Sequence, residues 1–518
     1  MLELHDDITI IGSGPTGLTL ALILKYYGHR VTVLEREGTP GGCHRVTRVN
    51  DGRGLGNGLF TEHGPRIYTS GSKTFHNMLL KAGIDHEKYF TDYKAQISEP
   101  LIQSLKYFTS TDILTMISSY MKYIIDTSYG SDMTVSSLKL STQASEYADK
   151  MCRLTDGAGA DRYTLNSFMR LIDHKFTETI QQPKKANDKE GGWVADLVKQ
   201  LQLNGVQFRF NKEVQGIELK NNELKSNELK SNELKRTELK NNELKNNELK
   251  HVKNLEITTQ DGEVINTNVI IFATPTDALE RILSNSKTLS NAFGSLKDLK
   301  EFNKHSLYET YLPVTLHWRL SPVKIPNIWG NGIGEWNIAW INMTDYISNE
   351  PGTIISACIT KTDAVNIYGK TANECTADEL RTEVLRQLEP LINTVRKPDS
   401  VLLSPEIYRS GDKWVTRDNA YMRTAMNTVG RPSYATNHKI FSVGCHNENN
   451  NYKFTSVESA VQNAYYWAHN NIPGSETVFP IITGLTLSLL IKYALILLVV
   501  ACIVYYLFIT RLLNYLVK

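Results

Sequence analysis

The stretch that most restricts the fold lies near the start of the chain. Ile8-Thr9-Ile10-Ile11 is a short apolar run of strand type, and Gly12, Gly14 and Gly17 follow it in a G-x-G-x-x-G arrangement. Pro15 and Thr16 lead into a helical stretch with Leu18, Leu20, Ala21, Leu22 and Leu24 as its apolar residues. Gly28 ends it, and Val31-Thr32-Val33-Leu34 forms a second strand closed by Glu35. Strand, glycine triplet, helix, strand and acid in register predict a βαβ unit that receives a dinucleotide. The first glycine permits the tight turn, the second lets a pyrophosphate approach the backbone, and the third lets helix and strand pack closely. Free N–H groups and the helix dipole at the helix N-terminus favour the pyrophosphate charge. Glu35, at the end of the second strand, is placed to accept hydrogen bonds from the ribose hydroxyls of an adenosine.

The residues after Glu35 discriminate between cofactors. Gly41-Gly42-Cys43-His44-Arg45 resembles the G-G-x-x-R extension of the flavin-containing amine oxidase superfamily. That superfamily includes monoamine and polyamine oxidases, protoporphyrinogen oxidase, phytoene desaturases and, more distantly, UDP-galactopyranose mutase. The resemblance implies FAD, held in this first segment by Gly12, Gly14, Pro15, Thr16, Gly17, Glu35, Arg36, Gly42 and Arg45. The arginine would offer its planar fork to the diphosphate. Cys43 stands where the commoner G-G-R form has an arginine.

Two later segments extend the resemblance. "GGWVADLVKQLQLNGVQFRFNKEVQGIEL" reads as a helix from Trp193 to Leu203, a turn at Asn204-Gly205 and strands, and "NLEITTQDGEVINTNVIIFATP" as a hairpin turning at Asp261-Gly262 followed by a buried strand from Val269 to Ala273. Val214 matches the superfamily's valine whose backbone meets the adenine. Near the end, "KIFSVGCHNENNNYKFTSVESAVQNAYYWA" supplies a strand at Ile440–Val443, Gly444, and a helix opening at Thr455. The resemblance assigns Gly444 to the ribityl chain and the helix start at Ser456 and Val457 to the flavin pyrimidine. Glu458-Ser459-Ala460-Val461 matches the family pattern, whereas Cys445 replaces its usual acid.

The substrate side is less defined. "GLFTEHGPRIYTSGSKTFHNMLLKAGI" resembles the H-G-P segment of the mutases and the D-x-G-P of the desaturases, which would bring Gly64 and Pro65 against the flavin ring. His63 and Arg66 are the candidate catalytic residues, with Arg66 also beside the cofactor where the mutases carry histidine. Trp414 and Tyr421 are candidate cavity aromatics. The family chemistry, hydride transfer to flavin, requires a C–H bond held over the ring more than a dedicated base. Surviving alternatives are a mutase-like flavoenzyme and a non-catalytic flavoprotein scaffold.

Composition adds boundaries. A chain of 518 residues with 41% hydrophobic residues suits two or three packed domains. With 57 basic against 55 acidic residues and no basic stretch interleaved with aromatics, nucleic acid is not an expected partner. Six scattered cysteines without a C-x-x-C pair argue against a metal site or a disulfide framework and for a reducing compartment. The acidic start, Met1 to Asp7, does not read as a signal peptide.

The other end is apolar from Val478 to Thr510 apart from Lys492, with no charge from Tyr493 to Thr510. This length can cross a hydrocarbon core of about 30 Å, so a single-pass C-terminal anchor is expected, with the catalytic domain on the cytosolic side; a bent or re-entrant apolar element is the alternative. Between the ends, residues 218–250 hold seven copies of Glu-Leu-Lys at a five-residue period. That period gives the leucines no common face on helix or strand, which predicts a solvated insertion.

The expectation is therefore an α/β chain with a Rossmann-like FAD-binding domain, a mixed α+β substrate domain and a C-terminal transmembrane helix. FAD segments occupy 1–68, 186–280 with the insertion at 218–250, and 401–472; substrate segments occupy 69–185 and 281–400; the anchor occupies 478–518. The substrate is a small molecule, lipophilic or an amine.

Overall fold

The computed structural model describes residues 6–45, 47–49, 58–64, 68–93, 96–97, 104–175, 179–184, 192–220, 255–308, 311–326, 328–346, 352–392, 396–417, 422–423, 439–447 and 455–516. Its first strand, Asp7–Ile11, pairs in parallel with Arg30–Leu34 on one side and Val269–Phe272 on the other. Ile440–Ser442 and Gln207–Arg209 complete a five-stranded sheet in the order 440–442, 269–272, 7–11, 30–34, 207–209.

The apolar runs follow from burial on both faces of a parallel sheet. Val269 and Ile271 join Ile8 and Ile10 in a core with the helices Pro15–Tyr26, Gly192–Leu203 and Val457–Asn471, while Ile270 and Phe272 join Ile11 in a second core on the opposite face. That second face is covered by the antiparallel strands Val214–Leu219, Leu255–Thr259 and Val264–Thr267 and by the helix Thr276–Ser284.

A second domain is built on a six-stranded sheet in the order 400–403, 312–318, 353–359, 338–342, 328–333, 96–97. Leu312, Val314, Leu316 and Trp318 face the helix Ala377–Gln387 in one core. The alternate residues face the first domain: Thr315 bonds Thr61 across the boundary at 3.2 Å, and the Ser356 hydroxyl donates to the Glu62 carboxylate. The helices Ser110–Ile125, Thr142–Asp156 and Leu165–Lys175 form a separate helical lobe with its own core.

Three segment boundaries shift. The first Glu-Leu-Lys copy belongs to the folded sheet: Leu219 pairs with Leu255, and Glu218 accepts hydrogen bonds from the backbone N–H groups of Lys287 and Thr288. The other copies lie outside the described residues. Residues 401–416 go with the six-stranded domain rather than with the first, because Val401–Leu403 pair with Val314–Leu316 and the hairpin Ile407–Thr416 packs Ile407 and Trp414 into its core. The segment expected as an anchor from 478 is in part folded core: Phe479 is fully buried in the core of the first domain, and Ile482 exchanges hydrogen bonds with the Thr74 hydroxyl. The last helix, Leu487–Leu516, contains a 25-residue span, Leu487–Arg511, of mean hydropathy 2.7 with none of its apolar window buried. Such a span is about 37 Å long at 1.5 Å per residue, enough to cross a hydrocarbon core.

Candidate functional site

The three separated segments meet at one open cleft. Gly12, Gly14, Pro15, Thr16, Glu35, Arg36, Gly42, Arg45, Val214, Gly444 and Ala460 line it, together with Ala273-Thr274-Pro275, and its empty volume is about 1310 Å³ with the solvent at its mouth included.

The glycines differ in what they make room for. Gly12 has φ +102°, and a Cβ there would stand 2.8 Å from the Ala273 carbonyl oxygen. A Cβ on Gly17 would stand 2.0 Å from the Gly12 carbonyl oxygen, so this glycine serves the closeness of turn and helix. Gly14 is the contrast: a Cβ would meet no protein atom within 4 Å, because its free side is the cleft. The helix Pro15–Tyr26 has no side-chain cap and no acid in its first turn, and Pro15 has no N–H to leave unsatisfied. Its N-terminal amides and dipole are thus left to a ligand from the cleft. Thr16 ties this turn to the third segment through a 3.3 Å bond from its hydroxyl to the Ala460 carbonyl.

Glu35 is buried, and its Oε2 accepts from the Ser13 N–H at 2.9 Å and the Ser13 hydroxyl at 2.6 Å, while Oε1 accepts from the Glu37 N–H at 3.0 Å. A carboxylate has about four acceptor sites. The side chain is therefore held in one orientation with acceptor capacity to spare. Arg45 is also buried and lies 3.3 Å from Glu406. Three further cations on the wall, Lys212, Arg281 and Arg417, had no sequence signal. They are positioned by carboxylate partners, Lys212 by Asp261 and Glu263, Arg281 by Glu213 at 2.7 Å, and Arg417 by Glu37 at 3.6 Å. Their motif-free surroundings are assembled only by the tertiary fold.

Val214 begins its strand opposite Thr259 and is buried at the cleft wall. The Gly444 N–H donates to Asn447 Oδ1 at 2.9 Å. Ser456 and Val457 stand beside the cleft rather than on its wall: the Ser456 hydroxyl caps the helix Val457–Asn471 by accepting from the Ser459 N–H, and Val457 packs in the core. Thr455 takes the place on the wall. Burial pushes the Cys445 thiol up, so it stays protonated where the family has an acid.

Glu458 points away from the cleft and caps another helix. Its oxygens accept from the N–H groups of Thr74 at 3.0 Å and Phe75 at 2.8 Å, at the start of the helix Lys73–Lys81, and from Gln462 at 2.9 Å. Burial raises this carboxyl to about 7 against those donors. It thereby fastens the third segment to the chain that follows the first.

Of the residues expected on the substrate side, only His63, Gly64 and Trp414 are among the described residues. His63 is buried, one residue after Glu62, which bonds Ser356 of the six-stranded sheet, and neither it nor Gly64 is on the cleft wall. Pro65, Arg66 and Tyr421 lie outside the described residues. Trp414 is not a cavity aromatic: its indole N–H donates to the Cys375 carbonyl at 3.0 Å and its ring fills the core behind the sheet, where a large apolar side chain with one polar handle is satisfied.

Residues 10–81 match the family of NAD(P)-binding Rossmann-like domains. No curated protein sequence matches the chain. Among solved structures, a putrescine oxidase with bound putrescine is similar over 90% of this chain and 99% of its own, with a TM-score of 0.61 at 12% identity. The cyclohexylamine oxidase of Brevibacterium oxydans covers 90% of this chain and 98% of its own, with a TM-score of 0.59 at 10% identity. A fatty acid isomerase from P. acnes that produces CLA covers 91% of this chain and all of its own, with a TM-score of 0.56 at 12% identity. The chain therefore carries a Rossmann-like dinucleotide domain. Over about nine-tenths of its length, its fold is similar to that of these amine oxidases and of the isomerase.

Proposed function

We propose that the protein is a membrane-anchored, FAD-dependent oxidoreductase of amine oxidase type acting on a small amine or lipophilic molecule. The observation that carries this reading is the convergence of Gly12–Thr16, Glu35, Val214 and Gly444, from three distant segments, on one cleft. The residues fit a dinucleotide chemically. Gly14 leaves its free side open, the uncapped helix start and Arg45 suit a diphosphate, and Glu35 is a fixed acceptor for ribose hydroxyls. Bound FAD would supply two-electron acceptor chemistry. The chain's own part is to hold that group and to orient a C–H bond under the six-stranded sheet, with His63 and Arg66 as the candidate substrate-contacting residues. The buried Glu62–Ser356 contact draws the two domains together beside His63 and helps to keep water out. The span Leu487–Arg511 supports bilayer attachment, and the proposal places the folded domains on the cytosolic side.

The shared fold of the fatty acid isomerase favours a second reading, a flavoenzyme that rearranges its substrate without net electron transfer. The full-length protein purified in detergent is expected to be yellow and to release FAD on denaturation. A colourless, folded protein that FAD cannot reconstitute overturns the proposal. Anaerobic mixing with amines, porphyrinogens, polyenes, unsaturated fatty acids and UDP-galactopyranose, followed at the flavin absorption band, then separates the chemistries. Bleaching supports the oxidoreductase, and conversion without any electron acceptor supports the rearrangement.

A further inference from the structure

The helix Ser110–Ile125 is apolar on two sides. Its buried side sets Tyr123 and Ile124 towards the helical lobe. On the outward side Leu114, Ile117, Met121 and Ile125 are 67%, 54%, 39% and 83% exposed. Their spacing of three, four and four residues makes one continuous stripe. A stripe of four large apolar side chains on a helix that already has its core contacts is unusual on a surface facing water.

Its neighbour indicates what covers it. Asp173, buried on the helix Leu165–Lys175, accepts the Tyr120 hydroxyl at 2.8 Å and the Tyr123 hydroxyl at 3.4 Å from the helix Ser110–Ile125. The same carboxylate accepts the Ser488 N–H at 2.6 Å and the Ser488 hydroxyl at 2.9 Å, and so caps the first turn of Leu487–Leu516. One carboxylate thus clasps the striped helix to the start of the apolar span. Both helices pack on Leu165–Lys175, which joins them through Asp173. Leu485, just before the span, is half exposed. Lys106 and Lys122 are exposed near either end of the striped helix, with their ammonium groups over the Tyr107 and Tyr129 rings at 4.7 and 5.5 Å. Lysines at the edge of an apolar face can reach headgroups while their stems stay with the acyl boundary.

We infer that the Leu114–Ile117–Met121–Ile125 face is a second membrane contact, lying in the headgroup–acyl boundary of the bilayer that the C-terminal helix crosses. The inference rests on the reading of Leu487–Arg511 as a membrane span. The clasp at Asp173 makes the two contacts one rigid footing, so the helical lobe sits on the bilayer rather than swinging above it on a tether.

The test uses the full-length protein in phospholipid nanodiscs doped with a lipid carrying a diazirine on its acyl chain. Irradiation and peptide mapping are expected to place adducts in 110–125 and in 487–511, with none at the equally exposed Leu203 and Val264 on the dinucleotide domain. The double variant Ile117→Asp/Met121→Asp should lose at least tenfold of the 110–125 adducts while keeping those of 487–511 and its melting temperature. Adducts in 487–511 alone overturn the inference and leave the anchor standing. Adducts in neither overturn the anchor as well. Copy-to-copy crosslinks through 110–125 without lipid adducts also overturn it and assign the face to a second copy of the chain.

Discussion

Gly14 and Gly17 are three residues apart in one motif, yet alanine at the two positions should move stability in opposite directions. At Gly17 the new Cβ would sit 2.0 Å from the Gly12 carbonyl oxygen, a backbone atom that gives way only if the turn opens. Overpacking against rigid neighbours costs about 1–3 kcal/mol, and the depth of this overlap points to the upper end. At Gly14 the backbone has φ −69°, which alanine adopts without strain, and no atom lies within 4 Å of the Cβ. Alanine there stabilises the FAD-free protein by about 0.4–1 kcal/mol through the unfolded chain. With FAD the sign at Gly14 reverses, and alanine there falls below wild type. A ligand at a hundred times its Kd stabilises by about 2.7 kcal/mol, and a methyl group projecting into the diphosphate's path should remove most of that increment. The assay is thermal unfolding of flavin-stripped wild type, Gly14→Ala and Gly17→Ala, with and without added FAD, together with an FAD fluorescence titration. If Gly14→Ala lowers the melting temperature of the FAD-free protein as much as Gly17→Ala, or retains the full FAD-induced rise, the assignment of the cleft to a dinucleotide is refuted.

Other outcomes follow from particular contacts. Glu35→Ala removes a charged hydrogen-bond acceptor of the kind that contributes about 1.5–3 kcal/mol, so FAD should bind roughly tenfold to 150-fold more weakly; an unchanged titration would place the ribose elsewhere. Burial, with His86 and Lys73 nearby, holds the His76 imidazole down at about 3, below its unfolded value of about 6.5, so its stabilising contribution is present above that value and is lost as pH falls towards 3. Glu458, raised to about 7 by burial, has the reverse sign: its contribution is full below about 4.3 and is lost as pH rises through 7. His76→Gln should therefore gain on wild type as pH falls from 6.5, and Glu458→Gln should gain as pH rises to 8; melting curves that stay parallel to wild type at pH 5, 6.5 and 8 would contradict both. Deleting 221–250 leaves Leu219 and Leu255, which pair directly, joined by five residues, Lys220 and His251–Asn254. Shortening that loop from 35 residues relieves up to about 1.7 kcal/mol of closure entropy, so calorimetry should find the protein unchanged or slightly more stable, and a marked loss would mean that the repeats are part of the fold. A chain ending at Thr486 should fold, whereas one ending at Thr477 loses Phe479 from the core, a cost of about 3–5 kcal/mol for a large buried aromatic; equal melting temperatures would contradict the placement of 478–486.

What could be read from the sequence was local. Ile8–Ile11, the glycine triplet and Glu35 announce their unit because each residue's neighbours in space are also its neighbours in the chain. The hairpin turning at Asp261-Gly262 was visible for the same reason, with Gly262 at φ +81°. Residues whose partners are distant were misjudged or missed. Glu218 reads as the first of seven repeats, but its carboxylate binds the backbone at 287 and 288. Phe479 reads as the start of an apolar tail because nothing in its flanks records that a pocket between helices accepts it. Trp414 reads as a free aromatic until Cys375 supplies an acceptor for its N–H. Lys212, Arg281 and Arg417 carry no motif, since their place on the cleft wall is decided by three different elements. Glu458 matched a family pattern, but only the fold reveals that its acceptor groups serve the helix at Lys73.

The strand Val269–Phe272 pairs on one edge with the first strand of the chain and on the other with Ile440–Ser442. During synthesis this makes the order of events unequal. The βαβ unit emerges first and can close locally, but Asp7–Ile11 then waits with an unpaired edge until more than half of the protein has been made, and its partner waits again for the last strand. Such long-range parallel pairing is slow and leaves adhesive edges exposed. The nascent chain should accordingly depend on holdase chaperones far longer than its first, self-sufficient turn suggests. Because Leu487–Arg511 follows the last strand and the core residue Phe479, a released chain that ends before Leu487 should already hold a closed, protease-resistant dinucleotide domain.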